Sequence, residues 1–181
     1  MKKTVWTFGL ISGAIMALFM VATLPFANAL GEHSLVLGYT GIVAAFLLVY
    51  FGVRSYRDNV LGGTIGFGRA LTVGVLIAAI GSVCYVGTWE ILYYKFMPDF
   101  YSKYAQSTVD QARKNGKSEA EIAQIQATMD EMTKNAASPV WVFATTFVEP
   151  FPVGLLIALV SAGILRRKRS APDAVLAAAT L

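Results

Sequence analysis

Glu149 needs the most explanation of any residue in this 181-residue chain. It interrupts an apolar run about 16 residues before Leu165, roughly 24 Å along a helix at 1.5 Å per residue. A carboxyl group at that depth in a bilayer faces the bundle interior or finds a partner, because its charge is costly in hydrocarbon. Thr145 lies one turn earlier on nearly the same helix face and is placed to donate to it. Pro150 and Pro152 lack the N–H groups that would bond the carbonyls of Thr146 and Val148. One carboxylate, two hydroxyls and two freed carbonyls therefore gather at a helix kink, the arrangement by which broken helices hold cations. The structural alternative is a kinked helix whose carboxyl is held by a neighbouring helix.

Glu90 is the companion carboxylate, about 20 residues past Ala70 and so near the end of its own span. Tyr85, Trp89, Tyr93 and Tyr94 surround it in the manner of an interfacial aromatic belt. Convergence of Glu90, Glu149 and the single His33 would make an outward-facing proton or cation site. The simpler expectation for Glu90 is a carboxylate reaching interfacial water. With one histidine and one cysteine, Cys84, the chain has neither an internal disulfide nor the ligand set of a tight zinc site. No Ser-His-Asp constellation is visible, and no catalytic residue or cofactor is assigned. Residues 62–68 are glycine-rich but lack the Gly-Lys-Ser/Thr ending of a phosphate loop. They read as a turn re-entering the bilayer, with Thr64 as a candidate N-cap.

The elements that must position these residues follow from composition. Of the chain, 56% is hydrophobic and 14% charged, against roughly a quarter charged in soluble domains. Four stretches suit a bilayer crossing of about 20 residues, at about 4–30, 34–53, 70–94 and 139–165. The segment at about 98–135 is the sizeable polar piece. Pro98 and Asp99 open a helix with Tyr101, Tyr104, Ala105, Thr108 and Ala112 on one face, and Asn115-Gly116 stops it. Ser118 and Glu121 form a capping box for a second helix, striped by Ile122, Ile125, Met129 and Met132. The expectation is an all-α membrane protein, residues 1–169 forming one four-helix domain with an extracytoplasmic helical hairpin between helices 3 and 4. A loosely ordered tail, 170–181, follows. Gly9 and Gly13, and Gly74 and Ala78, are spaced for close helix packing, within one chain or between chains.

Charge sets the orientation. Lys2, Lys3, Arg54, Arg57, Arg69, Arg166, Arg167, Lys168 and Arg169, less Asp58 and Asp173, put +7 on one side. The hairpin side nearly cancels, and the net charge is +4. Positive residues mark the cytoplasmic face, so both termini are expected inside. These arginines and Lys168 are topology determinants, with anionic lipid headgroups as natural contacts. Met1-Lys2-Lys3 followed by an apolar run and Ala27-Asn28-Ala29 also has the form of a signal peptide. The run of about 26 residues exceeds the roughly 7–15 of a signal core, so a retained span is expected.

Several strings in order resemble the bacterial domain-of-unknown-function family 4199. They are Gly52-Val53-Arg54-Ser55-Tyr56-Arg57-Asp58, then Gly62-Gly63-Thr64-Ile65-Gly66-Phe67-Gly68, then Tyr85, Trp89 and Tyr93. Glu149-Pro150-Phe151-Pro152-Val153-Gly154-Leu155 and Ser161-Ala162-Gly163-Ile164-Leu165 complete the set. The resemblance implies a four-helix integral membrane protein of the bacterial envelope and brings no activity with it. The expected role is a structural or accessory component of the inner membrane rather than an enzyme. The alternative is a small proton- or cation-linked transporter or channel component using Glu90 and Glu149. Expected partners are the lipid bilayer and a second copy or another membrane protein. Nucleic acid is excluded, because the basic residues flank spans instead of gathering on a folded face.

Overall fold

The computed structural model describes residues 1–24 and 33–166. Among these the chain is helical, with no strand. The helices are α1 (Lys2–Thr23), α2 (His33–Val60), α3 (Phe67–Phe96), α4 (Phe100–Lys114), α5 (Glu119–Asn135), α6 (Pro139–Phe147) and α7 (Pro150–Leu165). Four stretches are long and apolar enough to cross a membrane: α1, most of α2, α3, and Pro139–Leu165, which comprises α6 and α7. Residues 25–30 of the expected first span, Glu32, the Ala27-Asn28-Ala29 string, Arg167, Lys168, Arg169 and the tail lie outside the described residues, as does the His33 side chain.

The helix ends depart from the hydropathy boundaries where polar residues remain good helix formers. α2 runs past Val53 to Val60, because Arg54 and Asp58 pair across one turn at 3.6 Å and Tyr56 is buried. α3 starts at Phe67, not beside Thr64. Ile65 is buried in the core and draws the chain inward before the helix begins, so the Gly66 carbonyl accepts the first helical bond, from Ala70. Gly62 and Gly63 make the preceding turn at φ +67° and +92°, backbone that favours glycine. The last apolar stretch breaks at Val148 and Glu149, immediately before Pro150. Both residues keep right-handed helical dihedrals, so the proline interrupts the bonding ladder while the local backbone stays helical.

By packing, the chain divides into two compact units: Met1–Tyr85 together with the chain from Glu149, and Val86–Val148. The first unit has a core of Ile42, Ala45, Phe46, Val49 and Val53 from α2, Val73 and Ile77 from α3, and Ala158 and Ala162 from α7. Glycines set the helix spacing. A Cβ placed on Gly13 would collide with the Cys84 Cβ, and one on Gly9 would fall 2.8 Å from the Ile80 Cβ. On its other contact, Gly74 faces Ala158 at 2.8 Å and Gly154 faces Ala78 at 2.7 Å. The small residues thus serve packing within one chain. Large apolar side chains such as Leu18, Leu47, Leu156 and Ile164 point outward, the distribution suited to lipid rather than water.

In the second unit, the end of α3 meets α4 and α6 through aromatic rings. Trp89 stacks with Tyr93 and makes an edge contact with Phe100, while Tyr101 meets both Tyr93 and Trp141 edge-on. The Tyr94 hydroxyl donates to the Ala136 carbonyl at 3.1 Å. α4 and α5 form a helical hairpin turned at Gly116, φ +70°. Its core is Val109 and Ala112 against Ile122, with Ile125 packed alongside. The α4 stripe read from the sequence is therefore shifted. Tyr101 belongs to the aromatic cluster and Tyr104 is 51% exposed, while Val109 takes the core position.

The capping box at the start of α5 is formed. Glu121 N–H donates to the Ser118 hydroxyl, and Ser118 N–H donates to the Glu121 carboxylate at 3.0 Å. The Ser118 hydroxyl also donates to the Glu121 carboxylate at 2.7 Å, and this bond, together with the one from the Ser118 N–H, holds the Glu121 carboxyl below its ordinary range. Because the folded value is depressed, the carboxylate's stabilising effect is complete above about pH 4.3, the ordinary glutamate value. It is lost as pH falls through the lower folded value. Ser118→Ala is predicted to cost about 1 kcal/mol at this helix start and to return the Glu121 midpoint toward its ordinary value. An NMR titration of the Glu121 carboxyl checks this, and an unchanged midpoint contradicts it.

Candidate functional site

The first unit brings one carboxyl and one phenol together. The α3–α7 contacts run in antiparallel register, since Gly74 faces Ala158 and Ala78 faces Gly154. Following the contact onward, seven residues along α3 reach Tyr85 and five back along α7 reach its N-cap, Glu149. The Tyr85 hydroxyl donates to Glu149 Oε2 at 3.2 Å, a bond spanning 64 positions in the sequence. Both residues are half-buried. Close approach of the two backbones, possible only with small residues between them, brings a side chain from each helix within hydrogen-bond reach.

The Tyr85 side chain also borders a cavity of about 70 Å³, lined with Met16, Phe19 and Met20 from α1 and Gly38 and Ile42 from α2. Thr23 is the other polar side chain there, and its hydroxyl donates back to the Phe19 carbonyl at 2.8 Å. A space of this size accommodates water-sized species. One turn before Tyr85, the Ser82 hydroxyl is fully buried with no hydrogen-bond partner among the described residues. On α1, the Ser12 hydroxyl donates to the Ala45 carbonyl at 3.3 Å. The arrangement can fix the orientation of the Glu149 carboxyl and leaves Oε1 outside the tyrosine bond.

Two other residues singled out by sequence, Thr145 and Glu90, belong to the second unit. Thr145 belongs to the Val86–Val148 unit, where its hydroxyl donates to the Trp141 carbonyl at 2.8 Å. A hydroxyl has one proton to give, so that of Thr145 is spent within its own helix turn. Glu90 lies in the same unit, half-buried on α3. The carboxyl partner that sequence reasoning missed is Tyr85, which it assigned to an aromatic belt. The signal that points to Tyr85 is the small-residue spacing of Gly74 and Ala78, followed up the helix in steps of three and four.

At the other end of the first unit, Asp58 bridges two arginines. It accepts from Arg57 at 2.6 Å and lies 3.6 Å from Arg54. Arg69 and Arg166 are exposed there. Among the described residues no group of three or more His, Cys, Asp or Glu is arranged to hold a metal ion.

Tyr85→Phe removes the donor without altering the ring. Interhelical bonds of this kind contribute about 0.6 kcal/mol on average and up to about 1.7, so the variant is predicted to lower stability within that range. Thermal unfolding in detergent, compared with Glu149→Gln and the double variant, measures the coupling. Strictly additive losses contradict the bond.

A family model described as a protein of unknown function, DUF4199, matches residues 7–167. Searches of curated proteins and of solved structures found no match. The match takes in the first apolar stretch from residue 7, the other three whole, the turn at Gly62 and Gly63, and both members of the Tyr85–Glu149 pair. The chain belongs to the DUF4199 family of proteins of unknown function.

Proposed function

We propose that this chain is a multi-pass integral protein of the bacterial inner membrane with a structural or accessory role, and not an enzyme. Four helices of sufficient length and apolarity support the multi-pass reading. The basic residues flanking the helices, Lys2, Lys3, Arg54, Arg57, Arg69 and Arg166, support cytoplasmic termini. On that topology the α4–α5 hairpin, with its nearly balanced charge, lies outside. The observation that carries the structural role is the Tyr85–Glu149 bond. The intramembrane carboxyl is used to join two helices already packed through glycines, as a latch would be.

A second reading, a small proton- or cation-linked transport component, is favoured by one observation: the cavity bordered by the same Tyr85. The two readings part in a flux measurement. In proteoliposomes loaded with pH- and cation-sensitive dyes, the structural reading predicts identical traces for the native chain, Glu149→Gln and empty vesicles. Glu149→Gln is expected to lower folded yield while remaining helical. A flux present in the native chain and absent from folded Glu149→Gln overturns the structural reading in favour of transport.

A further inference from the structure

On α3 the Ser82 hydroxyl is fully buried and, among the described residues, has no hydrogen-bond partner. A polar group left dry in an apolar interior is costly, and within a span no solvent relieves it. Serine and threonine hydroxyls in helices escape this cost by donating to the carbonyl four residues earlier. Thr23, Thr40, Thr72 and Thr145 all do so. Ser82 makes no such bond to the Ala78 carbonyl, so its proton is not spent within its own helix.

Packing shows what lies beside it. Gly74 faces Ala158 and Ala78 faces Gly154. Four residues further along α3 is Ser82, and four back along α7 is Pro150, itself fully buried. Proline has no N–H to offer the hydroxyl. One turn beyond Ser82 is Tyr85, and next to Pro150 is Glu149, so Ser82 lies beside the Tyr85–Glu149 bond on the face of α3 turned to α7. The Tyr85 proton goes to Glu149 Oε2. Ser82 Oγ and Glu149 Oε1 are thus polar atoms of one layer, and they make no direct bond.

Burial and chemistry select what joins them. A partner protein, a second copy or a lipid headgroup does not reach a hydroxyl with no exposed surface. Hard cations such as Ca²⁺ and Mg²⁺ take six or more oxygens, whereas this layer offers one carboxyl and two hydroxyls. Water needs only two to four polar partners and occurs routinely where buried groups lack them. It both accepts and donates, which suits a hydroxyl on one side and a carboxylate oxygen on the other. Water-sized space also lies against the same phenol, in the cavity of about 70 Å³.

We propose that Ser82 and Glu149 hold a buried water molecule between α3 and α7. The water accepts from the Ser82 hydroxyl and donates to Glu149 Oε1, so the carboxyl is held through both oxygens. The inference deepens the structural reading above and rests on it, naming what completes the bond between the two helices. The test is a crystal structure of the full chain grown from a lipidic phase, with thermal unfolding read in parallel. Density is expected within hydrogen-bond distance of both Ser82 Oγ and Glu149 Oε1. It should be absent from Ser82→Ala, in which the Tyr85–Glu149 bond persists. Ser82→Ala should also lower the unfolding temperature by about 2–4 °C, the shift of roughly one net hydrogen bond in a chain of this size. Removing a hydroxyl that was dry has the opposite sign, because an unsatisfied group is lost.

No density between the two atoms, or a Ser82 hydroxyl seated on the Ala78 carbonyl, overturns the proposal. A raised unfolding temperature in Ser82→Ala does the same. So does density ringed by six oxygens at about 2.0–2.6 Å, the signature of a cation. The native density is read without any variant, so it decides even if Ser82→Ala does not fold. None of these results touches the structural reading of Glu149, which the flux measurement decides.

Discussion

Apolar helices in lipid gain little by hiding apolar surface from one another, because the acyl chains around them are equally apolar. What remains is close packing, and in this chain it depends on glycine. α3 is the common member. Gly9 and Gly13 of α1 approach it at Ile80 and Cys84, and its own Gly74 and Ala78 meet Ala158 and Gly154 of α7. Each contact is short enough that a methyl group in place of hydrogen would collide with a neighbouring side chain. The position of the Tyr85–Glu149 bond follows from this spacing. Side chains of ordinary size between α3 and α7 would hold the phenol and the carboxyl too far apart.

Features determined by neighbouring residues were legible in the sequence. The four apolar stretches, the capping box at Ser118 and Glu121, and the turn at Gly116 depend on local hydropathy, hydrogen bonding and backbone freedom. Features determined by distant residues were less so. The start of α3 is displaced from Thr64 because Ile65 is claimed by the core, and Val109 joins the expected Ala112 in the α4 stripe while Tyr101 is claimed by aromatic partners. The helix length of α2 exceeds its hydropathy because Arg54 and Asp58 sustain the helix beyond the apolar run. Glu149 was recognised as exceptional from its type and depth. Its partner was not, because identifying Tyr85 requires the register between two helices far apart in sequence.

The two units use their polar groups differently. In the first, the Ser12 and Tyr85 hydroxyls and the Glu149 carboxyl turn inward, with Ser12 on a backbone carbonyl and Tyr85 on Glu149. These bonds join elements across the bundle. In the second, polar side chains of the hairpin, Arg113 with Asp110 and Asp130 among them, line an open groove instead.

Glycine contacts on α3 hold the first unit together within a single chain. A reciprocal exchange at its tightest contact tests this directly. Gly13→Ala introduces a methyl group against Cys84 and should lower unfolding stability by about 1–3 kcal/mol; Cys84→Gly in the same chain removes the atoms it meets. The double variant should regain much of the loss, with a coupling of about 0.5–3 kcal/mol independent of the protein-to-detergent ratio. Additive losses, or a coupling that grows with protein concentration, would contradict it.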